Sequence, residues 1–456
     1  MRKITLKAVI LVSLLLHLPV WGQGEVLEGY LQQGLQSNLV LQQRNLSLQN
    51  ALYALKQARN LYIPSLDFQA GYTTAEGGRD IQLPVGDMLN PVYSTLNQFM
   101  GQNAFPLIEN QQINFLPKNY YDARIRLSVP ILNMDIIHNK RIQEKQWMIR
   151  ENEVEIYQRE LVKEIKTTYY SYLSALKAVE IHQNAIQLAE EGKRTNEKLI
   201  EAGNGLHAYV LRSETEIAQA IAKLNAAELQ LKTVQRYFNA LLNREADATI
   251  EAAGTERIIP FIETTTVSAQ DREELESMEY MVTLREDVVR MNKQVFVPKL
   301  NGFADAGSQA EGFKFNEQSR YYMVGLQLNI PIFNGNRNIL KVKEAKNEVE
   351  IAKLQKAYAE QQLDVAVTSA YNEVLASKSN YETTLKQLEM AETYFRLIDK
   401  GYAAGVNTYI ETVDARTQLT AAKLATSVYY YQFLTALAKL ERETASYPIP
   451  TNQQSK

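Results

Sequence analysis

The chain of 456 residues contains no cysteine. That excludes disulfides, thiolate metal sites, cysteine nucleophiles and a lipid anchor on an N-terminal cysteine. Histidine is scarce as well. Beyond the first 22 residues only His138, His182 and His207 occur, and no two stand at metal-ligand spacing. There is no His-Glu-x-x-His run, no Gly-x-Ser-x-Gly elbow and no phosphate-binding glycine loop. Asp247, Glu251 and Glu256 are scattered acids that read as solvated surface. Nothing therefore points to an enzyme, and no cofactor or metal is expected. After residue 22 no segment approaches the roughly 18 consecutive apolar residues of a spanning helix. An excess of positive charge is also missing: 49 Lys and Arg face 52 Asp and Glu, a net charge of -3. That balance gives no electrostatic case for nucleic acid.

What is present begins with a leader. Met1–Gly22 carries Arg2, Lys3 and Lys7, then the apolar stretch Ala8–Leu18, then Val20-Trp21-Gly22 at the expected cleavage region. The apolar run is too short to span a bilayer, which favours a secretory signal peptide over a retained anchor. Its removal leaves 46 basic against 52 acidic groups. An exported chain without spanning helices is either soluble or an outer-membrane β-barrel.

The rest of the chain reads as one design used twice. Residues 126–133, RLSVPILN, match residues 327–334, QLNIPIFN, at four of eight positions. Ile200-Glu201-Ala202-Gly203 corresponds to Tyr402-Ala403-Ala404-Gly405, and Tyr62-Ile63-Pro64-Ser65-Leu66 to Phe296-Val297-Pro298-Lys299-Leu300. The landmarks keep their order, as an internal duplication requires. The first repeat takes residues 23–253: a helical stretch from Asn38 to Ile63, a strand at 65–74, a loop at 75–119, a strand at 121–130, a long helix at 134–202 and a helix at 206–245. The second takes 254–456: helix 271–297, strands 299–307 and 321–331, long helix 336–404 and helix 407–445. Pro64, Pro130, Pro298 and Pro331 serve as landmarks between strands and helices.

Period-two alternation defines the strands. Leu66, Phe68, Ala70 and Tyr72 oppose Asp67, Gln69, Gly71 and Thr73; Ala123, Ile125, Leu127 and Val129 oppose Asp122, Arg124, Arg126 and Ser128. Val324, Leu326, Leu328 and Ile330 oppose Gly325, Gln327 and Asn329. The stretch Lys299–Gly307 is less regular, with Gly302 as the expected bulge. Two arginines on one strand face sit poorly in a soluble sandwich and easily inside a watery barrel. Strands of this length cross a bilayer at a tilt.

The long helices would each extend roughly 100 Å. Residues 336–404 carry one line of apolar or small residues through Val342, Ala345, Val349, Ala352, Ala359, Leu363, Ala366, Ala370, Val374, Tyr381, Leu385, Leu388, Ala391, Phe395, Ile398 and Tyr402, and a second through Ile351, Leu354, Tyr358, Val365, Tyr371 and Leu375. A helix with two such seams touches neighbours on both sides. Tyr169-Tyr170, Tyr172 and Tyr429-Tyr430-Tyr431 lie on helices, where aromatic packing is the expected role. Four strands cannot close a barrel, so a homo-oligomer is expected. A soluble periplasmic coiled-coil scaffold remains the alternative on periodicity alone.

Taken together, the chain resembles the TolC-type outer-membrane efflux protein family over essentially its whole mature length. The resemblance rests on Tyr62–Leu66, Leu127–Leu132, Leu328–Gly335 and the turn Gly401-Tyr402-Ala403-Ala404-Gly405-Val406-Asn407-Thr408. It implies a mostly α fold with a membrane β-barrel portion: a homotrimer with a 12-stranded β-barrel on a 12-helix α-barrel, located in the outer membrane and extending into the periplasm. It implies a passive duct for efflux or type I secretion. Its partners would be a periplasmic adaptor, a proton-driven or ATP-driven inner-membrane transporter and outer-membrane lipid. Residues Glu245–Gln270 would join a belt around the tube. Gly203 and Gly405 would be the tip turns. Glu411 and Asp414 match family positions where acids line the constriction, and their repeat-one equivalents are Tyr209 and Arg212. Arg212 is the expected latch partner of either acid. Asn407 stands where the family often has a basic residue, and Tyr209 where it often has an acid; Tyr402 keeps the aromatic position.

Overall fold

The computed structural model describes residues 24–449 except Pro117, Asn204, residues 253–268 and Asp271. The leader 1–22 and most of the expected belt segment therefore lie outside the described residues. The elements run α1 (Gly24–Ser37), α2 (Leu39–Asn60), β1 (Ser65–Thr73), β2 (Asp80–Leu83), α3 (Val85–Met100), β3 (Gln111–Asn114), β4 (Tyr120–Leu132), α4 (Met134–Glu201) and α5 (His207–Leu241). They continue with α6 (Glu273–Lys293), β5 (Lys299–Glu311), a short 3₁₀ turn (Glu317–Ser319), β6 (Arg320–Asn329), α7 (Arg337–Ala403) and α8 (Tyr409–Glu443). The chain forms two compact units. One holds residues 53–144 and 285–347, the other residues 1–52, 145–284 and 348–456.

The first unit is built on an antiparallel sheet of order β1-β4-β5-β6. β1 pairs with β4 and β5 with β6 within the repeats, and β4 joins β5 across them. The register sorts the two faces. Leu66 opposes Leu127, Phe68 opposes Ile125, and Ala304 opposes Val324, which gives one apolar face. Asp67 opposes Arg126, and Arg126 opposes Asp305, which places charge on the other. The apolar face is bare in the single chain: Phe68, Leu66, Tyr322 and Val324 are 72, 68, 85 and 76% exposed. A sheet that shows such a face has found a nonaqueous neighbour or needs one.

On the polar face Arg126 donates two hydrogen bonds to Asp305, Nε to Oδ1 at 2.7 Å and Nη2 to Oδ2 at 2.6 Å, and its guanidinium lies over the Phe303 ring. Arg124 is held by Gln69 and Asp122, so both strand arginines are spoken for. At one end of the sheet Tyr72 and Tyr121 stack on Phe313, an aromatic cluster at the edge of the apolar face.

Several boundaries differ from expectation. The bulge does not fall at Gly302, which pairs regularly with Val129 and Leu326. It falls across the ladder at Ile131, between Pro130 and Leu132. The physical reason is Pro130, which lacks the N–H a regular ladder needs and lies beyond the end of β1. Pro130 is thus inside a strand rather than between a strand and a helix, whereas Pro64 and Pro298 lead from helix into strand and Pro331 follows β6. β5 runs to Glu311, past the expected end at 307, because Tyr120–Ala123 of β4 offer partners that far. The segment 75–119 is not a plain loop. It holds β2, β3 and the helix α3, which contains Pro91 in its interior and ends on left-handed Gly101.

The second unit is helical. Its core brings Leu31, Leu161, Ile165, Phe238 and Leu242 into full burial, with Tyr30 edge-on to Phe238. Tyr169, Tyr430 and Tyr431 join that core. On α7 the first apolar line is buried or half-buried along its length, with Val349, Ala352, Ala370, Val374 and Tyr381 each at most 7% exposed. The second is not, with Leu354, Tyr358 and Val365 64–70% exposed. Where α8 ends, Arg272 and Arg442 share Glu274, Arg272 also pairs with Glu443, and Arg159 binds Glu273 and the carbonyls of Ala445 and Tyr447. This network fastens the chain after α8. No helix among the described residues is long and apolar enough to cross a membrane.

Candidate functional site: the helix turns at Gly203 and Gly405

Two reversals, from α4 into α5 and from α7 into α8, carry every residue singled out for gating. Gly203 and Gly405 both have left-handed backbones, with φ of 77° and 75°, conformations a side chain would strain. The second turn is the better capped. Thr408 accepts from the N–H of Glu411, and Glu411 Oε2 accepts in return from the N–H of Thr408 at 2.7 Å, a capping box at the start of α8. Asn407 also donates to that oxygen, at 3.3 Å. These bonds, the Thr408 N–H first, hold the Glu411 carboxyl below its ordinary range. Asn407 is itself fixed, because its Oδ1 occupies the space a Cβ on Gly401 would take.

Glu411 and Asp414 are both exposed, three residues apart on one face of α8. Asp414 accepts from Gln418 at 2.7 Å. Arg212 is exposed on α5, and among the described residues it forms no ion pair with either acid of its own chain. The structure does bring Tyr209 and Tyr402 together. Both rings pack against Tyr409, at 5.4 and 5.8 Å between centroids.

Tyr409 is the centre of a buried polar cluster that the sequence did not reveal. It is fully buried, its hydroxyl lies 2.8 Å from Ser213 Oγ, and it donates to Glu216 Oε2 at 3.2 Å. Asn196, 1% exposed, donates to Ser213 Oγ and accepts from the hydroxyl of Tyr402. Arg416, also buried, places Nη1 3.3 Å from both carboxylate oxygens of Glu216. Burial pushes the Tyr409 and Tyr402 hydroxyls up, so both act as neutral donors. The cluster draws one residue or more from each of α4, α5, α7 and α8 and so ties the two repeats together. A cavity of about 510 Å³ opens beside it, lined by His182, Ala189, Glu216, Lys223 and Arg416. One signal in the sequence could have led here: Gly192, a helix-weakening residue inside a long helix, which usually has a packing reason.

Among the described residues no group of three or more His, Asp or Glu is placed to hold a metal ion. The arrangement is one of helix turns, exposed acids and a buried cross-brace.

Such a fold, an amphipathic antiparallel sheet with very long paired helices, defines the outer-membrane channel class, and the chain belongs to the outer membrane efflux protein family, which it matches over residues 30–244 and 267–445. It is 22% identical over 466 residues to the outer membrane protein TolC of Escherichia coli, covering 95% of this chain and 87% of that one. It is also 22% identical over 329 residues to the alkaline protease secretion protein AprF of Pseudomonas aeruginosa, covering 70% and 68%. Among solved structures it resembles the outer membrane protein VceC of Vibrio cholerae (TM-score 0.73, 16% identity, 92% and 95% covered). It likewise resembles the CmeC outer membrane channel of Campylobacter jejuni (TM-score 0.75, 14% identity, 95% and 87% covered). The family is one of channel proteins rather than enzymes, and this chain is an outer-membrane channel subunit of the efflux or type I secretion kind.

Proposed function

We propose that three copies of this chain close a 12-stranded barrel, four strands from each, and work as a passive export duct gated at the Gly203 and Gly405 turns. The observation that carries this reading is the sheet itself. It has one apolar face, one charged face and two open edges, β1 and β6. Four strands are too few to close, so copies must complete the cylinder. The exposed second seam of α7 supports the same conclusion, since Leu354, Tyr358 and Val365 need a neighbour that the single chain does not supply.

In this arrangement Glu411 and Asp414 form stacked rings of carboxylates at the tip, which favour cations. Arg212 of one copy meets an acid of the next and helps hold the aperture closed. A single exposed pair contributes only about 0–1 kcal/mol, so the latch acts through its threefold repetition. The duct works with a periplasmic adaptor and an inner-membrane transporter, which supplies the energy. Two measurements test the reading. Purified protein should need detergent and migrate as a heat-modifiable trimer. Arg212→Ala combined with Asp414→Ala should raise single-channel conductance in planar bilayers; unchanged conductance removes the latch.

A further inference from the structure

Residues 74–119 form a folded insertion between β1 and β4, and its helix α3 has two unlike faces. One face is bound to the returning segment. Asn90 donates to the carbonyl of Ile108 and accepts from its N–H, both at 2.9 Å. Asn97 does the same for Phe105, at 2.7 and 2.9 Å. Gly86 lies so close to the Ile108 carbonyl that a Cβ there would sit at 2.5 Å. The other face carries Met88, Val92, Leu96 and Phe99, a single stripe at helical spacing, exposed by 71, 52, 39 and 85%. Asparagine clamps give the helix a fixed orientation, so the stripe is presented rigidly.

Two observations identify what covers it. The first is charge. From Ile81 to Ile108 the only charged residue is Asp87, with no Lys or Arg. The surface therefore has no cation with which to meet lipid phosphates. The second is topology. The insertion continues directly from β1, and β1 is an edge of the sheet with one side unpaired. That edge is where the next copy must join for the sheet to close. Closure pairs β1 with β6 of that copy, so we infer that the apolar stripe of α3 packs against the β5–β6 connection of the neighbouring copy, where Phe313 and Phe315 are 55 and 72% exposed, forming a collar between copies beyond the strand ends. This rests on the closure by copies proposed above.

The absence of cysteine makes the test clean. Phe99→Cys and, separately, Met88→Cys, each made with and without Phe315→Cys as the partner across the seam, would be compared with Gln98→Cys, which lies on the exposed polar side of the same helix. Intact outer membranes would be treated with a short thiol cross-linker or with a bulky impermeant maleimide. The inference expects a cross-linked dimer on boiled gels for the Phe99→Cys or the Met88→Cys variant that also carries Phe315→Cys. It also expects maleimide labelling of the two variants without Phe315→Cys about tenfold slower than that of the Gln98→Cys variant, as burial at an interface requires. An intact trimer on unboiled gels with neither cross-linked product overturns the collar and leaves the barrel standing. Equal labelling rates in the Phe99→Cys and Gln98→Cys variants overturn it too, and so does protection without cross-linking, which would indicate lipid or another protein. Absence of any trimer in the unmodified chain overturns the barrel reading and the collar with it.

Discussion

Arg416 on α8 and Gly192 on α4 share one space: a Cβ on the glycine would lie 2.6 and 2.7 Å from the two terminal guanidinium nitrogens. The glycine is the socket for the arginine, and the arginine in turn reaches Glu216 on α5. Gly192→Ala should therefore destabilise the folded oligomer by about 1–3 kcal/mol, as overpacking does. Arg416→Met alone should cost about 3–5 kcal/mol, because it leaves Glu216 without its charge partner. Adding Glu216→Gln to Arg416→Met should recover part of that loss. Thermal midpoints of the detergent-purified protein read all three, and additive effects of the Arg416 and Glu216 changes would disprove the coupling.

The pair on the sheet makes a parallel case. The Asp305 side chain is fully buried beneath Arg126. Arg126→Ala should lower the temperature at which the oligomer dissociates on gels, because it leaves that carboxylate without its partner. Replacing both, as Arg126→Met with Asp305→Leu, should restore most of the loss. A double variant as weak as the single would show that the ion pair itself, not the orphaned acid, is what matters.

Acid should loosen the end of α8 in a defined window. Burial raises the pKa of Glu274, but hydrogen bonds from Arg272 and Arg442 outweigh it and bring it from 4.5 down to about 2. A depressed carboxyl contributes stability that is complete above its unfolded value and is lost as pH falls through the folded one. Stability should thus decline between about pH 4.5 and pH 2, and Glu274→Gln should flatten that part of the profile. Hydrogen exchange at residues 443–447 provides the local reading.

The exposed acids near the second turn predict a selectivity change. If Glu411 and Asp414 form the proposed charge rings, Glu411→Gln with Asp414→Asn should reduce the preference for cations over anions several-fold in reversal-potential measurements. The capping bonds keep Glu411 ionised below its ordinary range. Asp414→Asn alone should accordingly stay cation-selective at about pH 4.5, near the ordinary carboxylate range. Loss of selectivity there would place Glu411 away from the ion path.

How far the sequence could be read follows from where each signal lies. The strands were legible because alternation at Leu66, Phe68 and Ala70, and at Ile125 and Leu127, is a local pattern imposed by a face that meets lipid. The long helices were legible from two seams and the lack of proline. Helix α3 was not, because Gly86 and Pro91 are residue types that signal loops, while its order comes from the clamps of Asn90 and Asn97 on residues further along. The Tyr409 cluster escaped for another reason. Asn196, Ser213, Glu216 and Arg416 are ordinary helix-surface residues, and their meaning arises only when segments about 200 residues apart are brought together. Arg212 and Asp414 attracted notice by charge, yet the inward-facing residues beside them do the bracing within one chain.

The open edges of the sheet have a genetic consequence. In a cylinder shared among copies, a chain that folds but cannot conduct still takes a place in the ring and spoils its partners. An impaired allele expressed beside a healthy one should then behave as a dominant poison, whereas an allele that removes the edge strand should be silently recessive.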